Sequence, residues 1–204
     1  IALALIITIL VATVPLAFGA STTWTVLPGM IIGLITFLWI NRRIAKRVEA
    51  VTSAADQEMA NLQALAQRSG NQAQANVVRS IDAGVSRLQS GLIFRNWQLG
   101  VGTMLNARIG MLLFSKSLML SQFGNKTGRQ EALVASIPFL EKAQVKGRKA
   151  QLLHALWPAW AMLAVAHYQT SKAANKLTKA TEVLEAAVKS SRKNGVLWCL
   201  YAWL

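Results

Sequence analysis

No charged residue occurs before position 41 of this 204-residue chain; the 22 Lys and Arg and the 8 Asp and Glu all lie beyond it. So long an uncharged start excludes a solvated polar arm and points to a bilayer. The single cysteine, Cys199, excludes an intrachain disulfide. Set between Trp198 and Leu200, it is expected to be a buried small hydrophobe. There are two histidines, His154 and His167, thirteen residues apart. On a helix that is about 3.6 turns, which puts them off one face and argues against a metal pair. Carboxylates are scarce and scattered, at 49, 56, 58, 82, 131, 141, 182 and 185. Asp56 and Glu58 fall on different sides of a helix, and Glu185 with Lys189 is an ordinary i,i+4 surface pair. No acid–base pair, nucleophile elbow or phosphate loop is visible. Gly100-Val101-Gly102 lacks the preceding strand of a dinucleotide site and reads as a loop or a close helix contact. No enzyme activity and no cofactor are expected of these residues; a catalytic site would have to come from further chain.

What the chain has instead is two apolar runs. Ile1 to Phe18 is uncharged, Gly19-Ala20-Ser21-Thr22-Thr23 is a short polar break, and Trp24 to Ile40 is a second run. Each approaches the roughly 20 residues that cross a hydrocarbon core as helix. Trp24 and Trp39 bracket the second run as interfacial anchors, roughly 22 Å apart along a helix. Gly29 and Gly33 have the spacing of a close helix contact, although glycine is also common in membrane helices. Arg42, Arg43, Lys46 and Arg47 follow at once. Positive charge beside a span sets orientation, so the C-terminal part is expected on the cytoplasmic side of a bacterial-type inner membrane. A cleaved signal peptide ending near Ala17-Phe18-Gly19 is the competing reading; it would leave the second run as the anchor. The chain begins within an apolar run without Met and ends at Trp203-Leu204 within a helical pattern. Continuation in both directions is expected.

Beyond the runs the balance is basic: residues 41–70 carry five Lys/Arg against three Asp/Glu, and 71–204 carry seventeen against five. Beside a membrane such a surface attracts anionic lipid head groups, and next acidic protein segments. Arg68, Arg79, Arg87, Arg95 and Arg108 recur as a mostly solvated face. Without interleaved exposed aromatics they argue against nucleic acid.

Helical periodicity dominates the remainder. Ile44, Val48, Val51, Ala55, Leu62 and Leu65 form one apolar stripe on a helix leaving the membrane, with Glu58 interrupting it and disfavouring a long coiled coil. Arg68-Ser69-Gly70-Asn71 signals a turn, and Val78, Ile81, Val85 and Leu88 mark a second helix ending at Ser90-Gly91. Further helices are predicted over 97–116, 131–143 with a bend or late start at Pro138, 150–171, 175–192 and from 196 onward. Ser121 to Arg129 is predicted as a loop and Gly147-Arg148-Lys149 as a break. No segment alternates with period two for long enough to claim a strand. The class is all-α, built from successive helical hairpins, with three regions: a transmembrane hairpin and basic clamp over 1–47, a linking helical hairpin over 48–95, and stacked helical repeats over 96–204.

The last region has a repeat signature. Trp160, Leu163, Ala164, Ala166 and Tyr168 follow the large–small–aromatic order of the first helix of a tetratricopeptide repeat, and Ala180, Leu184 and Ala187 fill its second helix. Trp198, with Tyr201-Ala202, stands where the next repeat begins. Upstream, Ile109, Gly110 and Phe114, then Ser136, Leu140 and Ala143, give a looser copy. The spacing between copies is 44 residues against a consensus of about 34. This stretch resembles degenerate tetratricopeptide repeats with insertions; an irregular helical bundle is the alternative. The layout of two spans followed by such repeats is similar to that of the HemY family of bacterial inner-membrane proteins. That resemblance is one of arrangement only; an anchored repeat array without catalytic residues leads to the expectation of a membrane-anchored scaffold that binds protein partners of a larger assembly, and a homo-oligomer is compatible with it. The alternative is an accessory subunit of a channel, transporter or motor, in which the hairpin makes the essential contacts. Neither span contains an ionisable residue, so the hairpin is not expected to conduct ions.

Overall fold

The computed structural model describes residues 22–66, 71–95, 100–144, 156–171 and 176–203. Every regular element among them is helical: α1 (Thr22–Ala66), α2 (Asn71–Gly91), a 3₁₀ turn (Leu92–Phe94), α3 (Val101–Gln122), α4 (Lys126–Lys142), α5 (Trp157–Thr170), α6 (Lys176–Ser190) and α7 (Gly195–Trp203). The chain divides into two compact units, Ile1–Ala50 and Val51–Leu204. The first apolar run, the proposed cleavage point, the turn at 68–70, the break at 147–149 and His154 lie outside the described residues.

In the first unit, α1 carries the second apolar run and the basic residues on one continuous helix, with side chains described from Ile31 onward. Gly33, Ile44 and Val48 are buried, whereas Ile31, Ile32, Leu34, Ile35, Phe37, Leu38 and Trp39 are exposed. Among the described residues, no helix is long and apolar enough to cross a membrane.

The second unit is ordered by short connections. On α2, Val77, Ile81, Val85 and Leu88 form the buried stripe, with the fully buried Val77 in place of the predicted Val78. The loop predicted over Ser121–Arg129 shrinks to Phe123-Gly124-Asn125. Gly124 adopts φ +75°, its N–H bonds Ser121 O at 3.1 Å, and Asn125 N–H bonds Leu120 O at 2.9 Å. These two bonds close the end of α3 in the glycine-terminated manner that satisfies its last carbonyls. Asn125 then opens α4: its Oδ1 accepts from the N–H of Gly128 at 2.9 Å. One residue thus closes one helix and caps the next. Asn194 caps α7 in the same way, its Oδ1 accepting from Val196 N at 3.1 Å and Leu197 N at 3.3 Å. Pro138 lies inside α4, and the helix begins well before it. Pro158 sits in the first turn of α5, where its missing N–H costs nothing.

Packing follows chain order. α3 lies along α4, α5 packs on both, α6 lies along α5, and α7 packs on α5 and α6. Among the described glycines, Gly110 on α3 leaves the least room, against Leu140 on α4. A Cβ at Gly110 would stand 2.5 Å from Leu140 Cγ and 3.1 Å from Leu140 N. Only a residue without a side chain lets the two helices meet there. Gly102 likewise admits Arg95, whose Cβ would lie 2.9 Å from an added methyl. The Gly100–Gly102 segment is therefore a helix start with a close contact.

Candidate functional site

Two surfaces stand out, one in each unit. In the second unit, α2, α3 and α4 enclose an open groove of about 800 Å³. Its floor is apolar or small: Val78 and Ala75 from α2, Leu113 and Leu120 from α3, Gly128, Ala132 and Ala135 from α4. Arg79, Asp82, Lys116 and Glu131 line it as well, with Lys116 Nζ 2.6 Å from Asp82 Oδ1. Gly128, Ala132 and Ala135 recur at i, i+4 and i+7, so α4 turns a face of small residues toward the groove. That stripe is visible in the sequence; the α2 wall it meets comes from much earlier in the chain and is not. A second cross-helix pair, Arg108 with Asp56 at 2.9 Å, removes Arg108 from the solvated basic face expected for it.

The repeat-signature residues converge in the second unit. Trp160, Ala164, Leu184, Ala187 and Val188 share one core with Leu197. Leu140, Ala143 and Leu163 share another with Ala107 and Ala159. Phe114 packs with Leu133 and Ala166. Ile109 and Ala180 are wholly buried. Three positions differ from the pattern. Leu197, at 0 % exposure, fills the core where the pattern puts Trp198; Trp198 is 47 % exposed and donates its indole N–H to Arg192 O at 2.8 Å. Tyr168 lies at the surface, edge-on to Trp203 with ring centroids 6.1 Å apart, and Ala202 is exposed. Cys199 is exposed, which corrects its assignment to the interior.

His167 is buried on α5, with Nε2 3.4 Å from Glu141 Oε1 on α4. Burial lowers its pKa below the usual imidazole value, Glu141 opposes the shift, and Lys179 reinforces it. The arrangement suits a neutral packed imidazole. Among the described residues, no three His, Cys, Asp or Glu side chains gather where a metal ion could be held.

In the first unit, Trp39, Arg42, Arg43, Lys46 and Arg47 are all exposed on α1. The Arg43 guanidinium lies over the Trp39 ring, 5.2 Å from its centroid. Trp24 and Gly29 lie on the same helix, ahead of the residues whose side chains are described.

Comparison with protein-family models, curated proteins and solved structures finds no match. The geometry itself defines a class: a protein that is all-helical among the described residues, whose second unit is made of consecutively packed helices and carries an open groove.

Proposed function

We propose that this chain is a membrane-anchored scaffold whose helical unit, an α-solenoid of degenerate tetratricopeptide-like repeats, holds partner proteins at the cytoplasmic face of a bacterial inner membrane. The observation that carries the reading is the exposed apolar belt on α1. Seven large apolar residues between Ile31 and Trp39 are exposed on several sides of the helix, and a cluster of basic residues follows directly. A helix apolar all round requires cover by protein or lipid, and the flanking charge fits the boundary of a bilayer. The uncharged run Ile1–Phe18 supplies a second span in this reading. The scaffold role is supported by the order of packing, each helix resting mainly on its chain neighbours, and by the groove between α2, α3 and α4.

Purification of the full chain from native membranes in mild detergent is expected to recover partners in fixed stoichiometry. Repeated recovery of the protein alone would refute the scaffold. A reporter fused after Leu204 is expected to be accessible only from the cytoplasmic side; external accessibility would refute the orientation. The Gly29–Gly33 spacing and the uncharged runs support a second reading, in which the hairpin itself packs within a channel, transporter or motor assembly. Replacing the hairpin by an unrelated two-span anchor separates the two: retained function supports the scaffold, lost function the accessory subunit.

A further inference from the structure

We propose that Trp39, Arg42, Arg43 and Lys46 form a binding site for one anionic phospholipid, with the phosphate on the basic residues and an acyl chain along the apolar belt. The inference rests on the membrane reading above and adds a defined ligand to it. Advancing about 100° per residue, Ile32, Ile35, Trp39, Arg42, Arg43 and Lys46 fall within about 100° of one face of α1. All six are exposed. The face is apolar at one end and cationic at the other, with an indole at the junction. From Ile32 to Arg43 the rise is about 16 Å, close to half of a roughly 30 Å hydrocarbon core. A single lipid of one leaflet therefore matches both ends of the stripe, whereas free phosphate would use only one.

The cationic end is built for an oxyanion. Arg42 with Lys46, Arg43 with Lys46, and Arg43 with Arg47 are i,i+3 or i,i+4 neighbours, so like charges crowd one another. Among the described residues none of the four pairs with a carboxylate. An anion between them relieves that repulsion. The Arg43 guanidinium lies over the Trp39 ring, and its planar N–H fork is a group that grips phosphate oxygens in pairs. Lysine at position 43 would keep the charge and lose the fork.

The test is native mass spectrometry of the full chain in mild detergent, titrated with phosphatidylglycerol or phosphatidylcholine of identical acyl chains. Phosphatidylglycerol is expected to bind about tenfold more tightly. The Arg42→Gln, Arg43→Gln, Lys46→Gln, Arg47→Gln protein is expected to lose that preference. Arg43→Lys, which keeps the net charge, is expected to lose about threefold, with an unchanged helical circular dichroism spectrum. Lys179→Gln with Lys193→Gln, exposed changes far along the sequence, should leave the preference intact. An unchanged preference in the fourfold variant overturns the site, as does Arg43→Lys binding like the wild type. Displacement of the lipid by excess glycerol phosphate overturns the lipid as occupant. A parallel arm reconstitutes the protein in pure phosphatidylcholine vesicles and washes them with alkaline carbonate. Release there defeats the membrane reading and the site together; retention without a phosphatidylglycerol preference defeats the site alone.

Discussion

Replacing Gly110 by Ala puts one methyl group where α3 packs tightly against Leu140 of α4. In an ordinary helix interior this change stabilises by about 0.5–1 kcal/mol, because glycine loses more chain entropy on folding. Here the new Cβ would sit 2.5 Å from Leu140 Cγ, 2.6 Å from Cδ2 and 3.1 Å from the Leu140 backbone nitrogen. A rotamer change could move the side-chain atoms, but not the nitrogen. The helices must therefore separate, and overpacking of this kind costs about 1–3 kcal/mol. With the middle of each range, a net loss of about 1 kcal/mol is expected after the propensity gain is subtracted, or roughly 2–4 °C in Tm for a chain of this size. Gly84→Ala is the matched control: its Cβ would meet Leu112 Cδ1 at an ordinary 3.6 Å, so it should be neutral or slightly stabilising. Thermal unfolding of the full chain in mild detergent, followed by circular dichroism, reads both. Leu140→Ala alone should cost about 2–5 kcal/mol, but less when Gly110→Ala is already present, since the smaller side chain removes the clash. A Gly110→Ala protein as stable as the wild type, or additivity in the double variant, would refute the close-approach argument.

Asn125→Ala removes the cap of α4 and is expected to cost about 1 kcal/mol, whereas Gln130→Ala, an exposed change on the same helix, should be close to neutral in the same melt; equal stability of the two variants would deny the cap its role. For His167 the folded pKa lies below the unfolded one, so below about pH 6.5 the unfolded chain binds more protons and stability falls as pH falls. The stability of the wild type relative to His167→Gln should therefore decline as pH drops from about 7 through this window; a constant difference would refute the assignment. The thiol of Cys199, being exposed, should react fully with a maleimide without denaturant, and protection until unfolding would contradict its placement.

The helical class is legible because no stretch alternates with period two, and α2 is legible because apolar and polar residues are both present to define its stripe. The end of α3 departs from expectation for an identifiable reason. Ser121 to Arg129 is polar and contains glycines, and composition alone makes that a loop. The geometry uses only Phe123, Gly124 and Asn125 to turn the chain. An Asn three residues before Gly128, directly after a glycine, is a termination and a cap written in consecutive letters, and cap chemistry rather than polarity is the informative signal. The groove is illegible for a different reason: its small-residue stripe is on α4, but its α2 wall is brought in by packing across a long stretch of chain.

Uniform apolarity hides the facing of residues at both ends of the chain. In α7, Gly195-Val196-Leu197-Trp198-Cys199-Leu200-Tyr201-Ala202-Trp203 contains no charged residue to set a phase, so size and hydropathy suggest Trp198 and Cys199 for the interior. Packing against Trp160, Leu184 and Ala187 instead selects Leu197, and Trp198 and Cys199 turn outward. The belt on α1 presents the same ambiguity from Trp24 to Ile40. There the basic residues beyond the run provide a phase: Arg42, Arg43 and Lys46 continue the face that carries Ile35 and Trp39, while Ile44 and Val48 lie buried on another. A charge cluster one turn past an apolar run thus gives the run a phase, and that phase is the observation on which the proposal of a ligand with a charged head and an apolar tail rests.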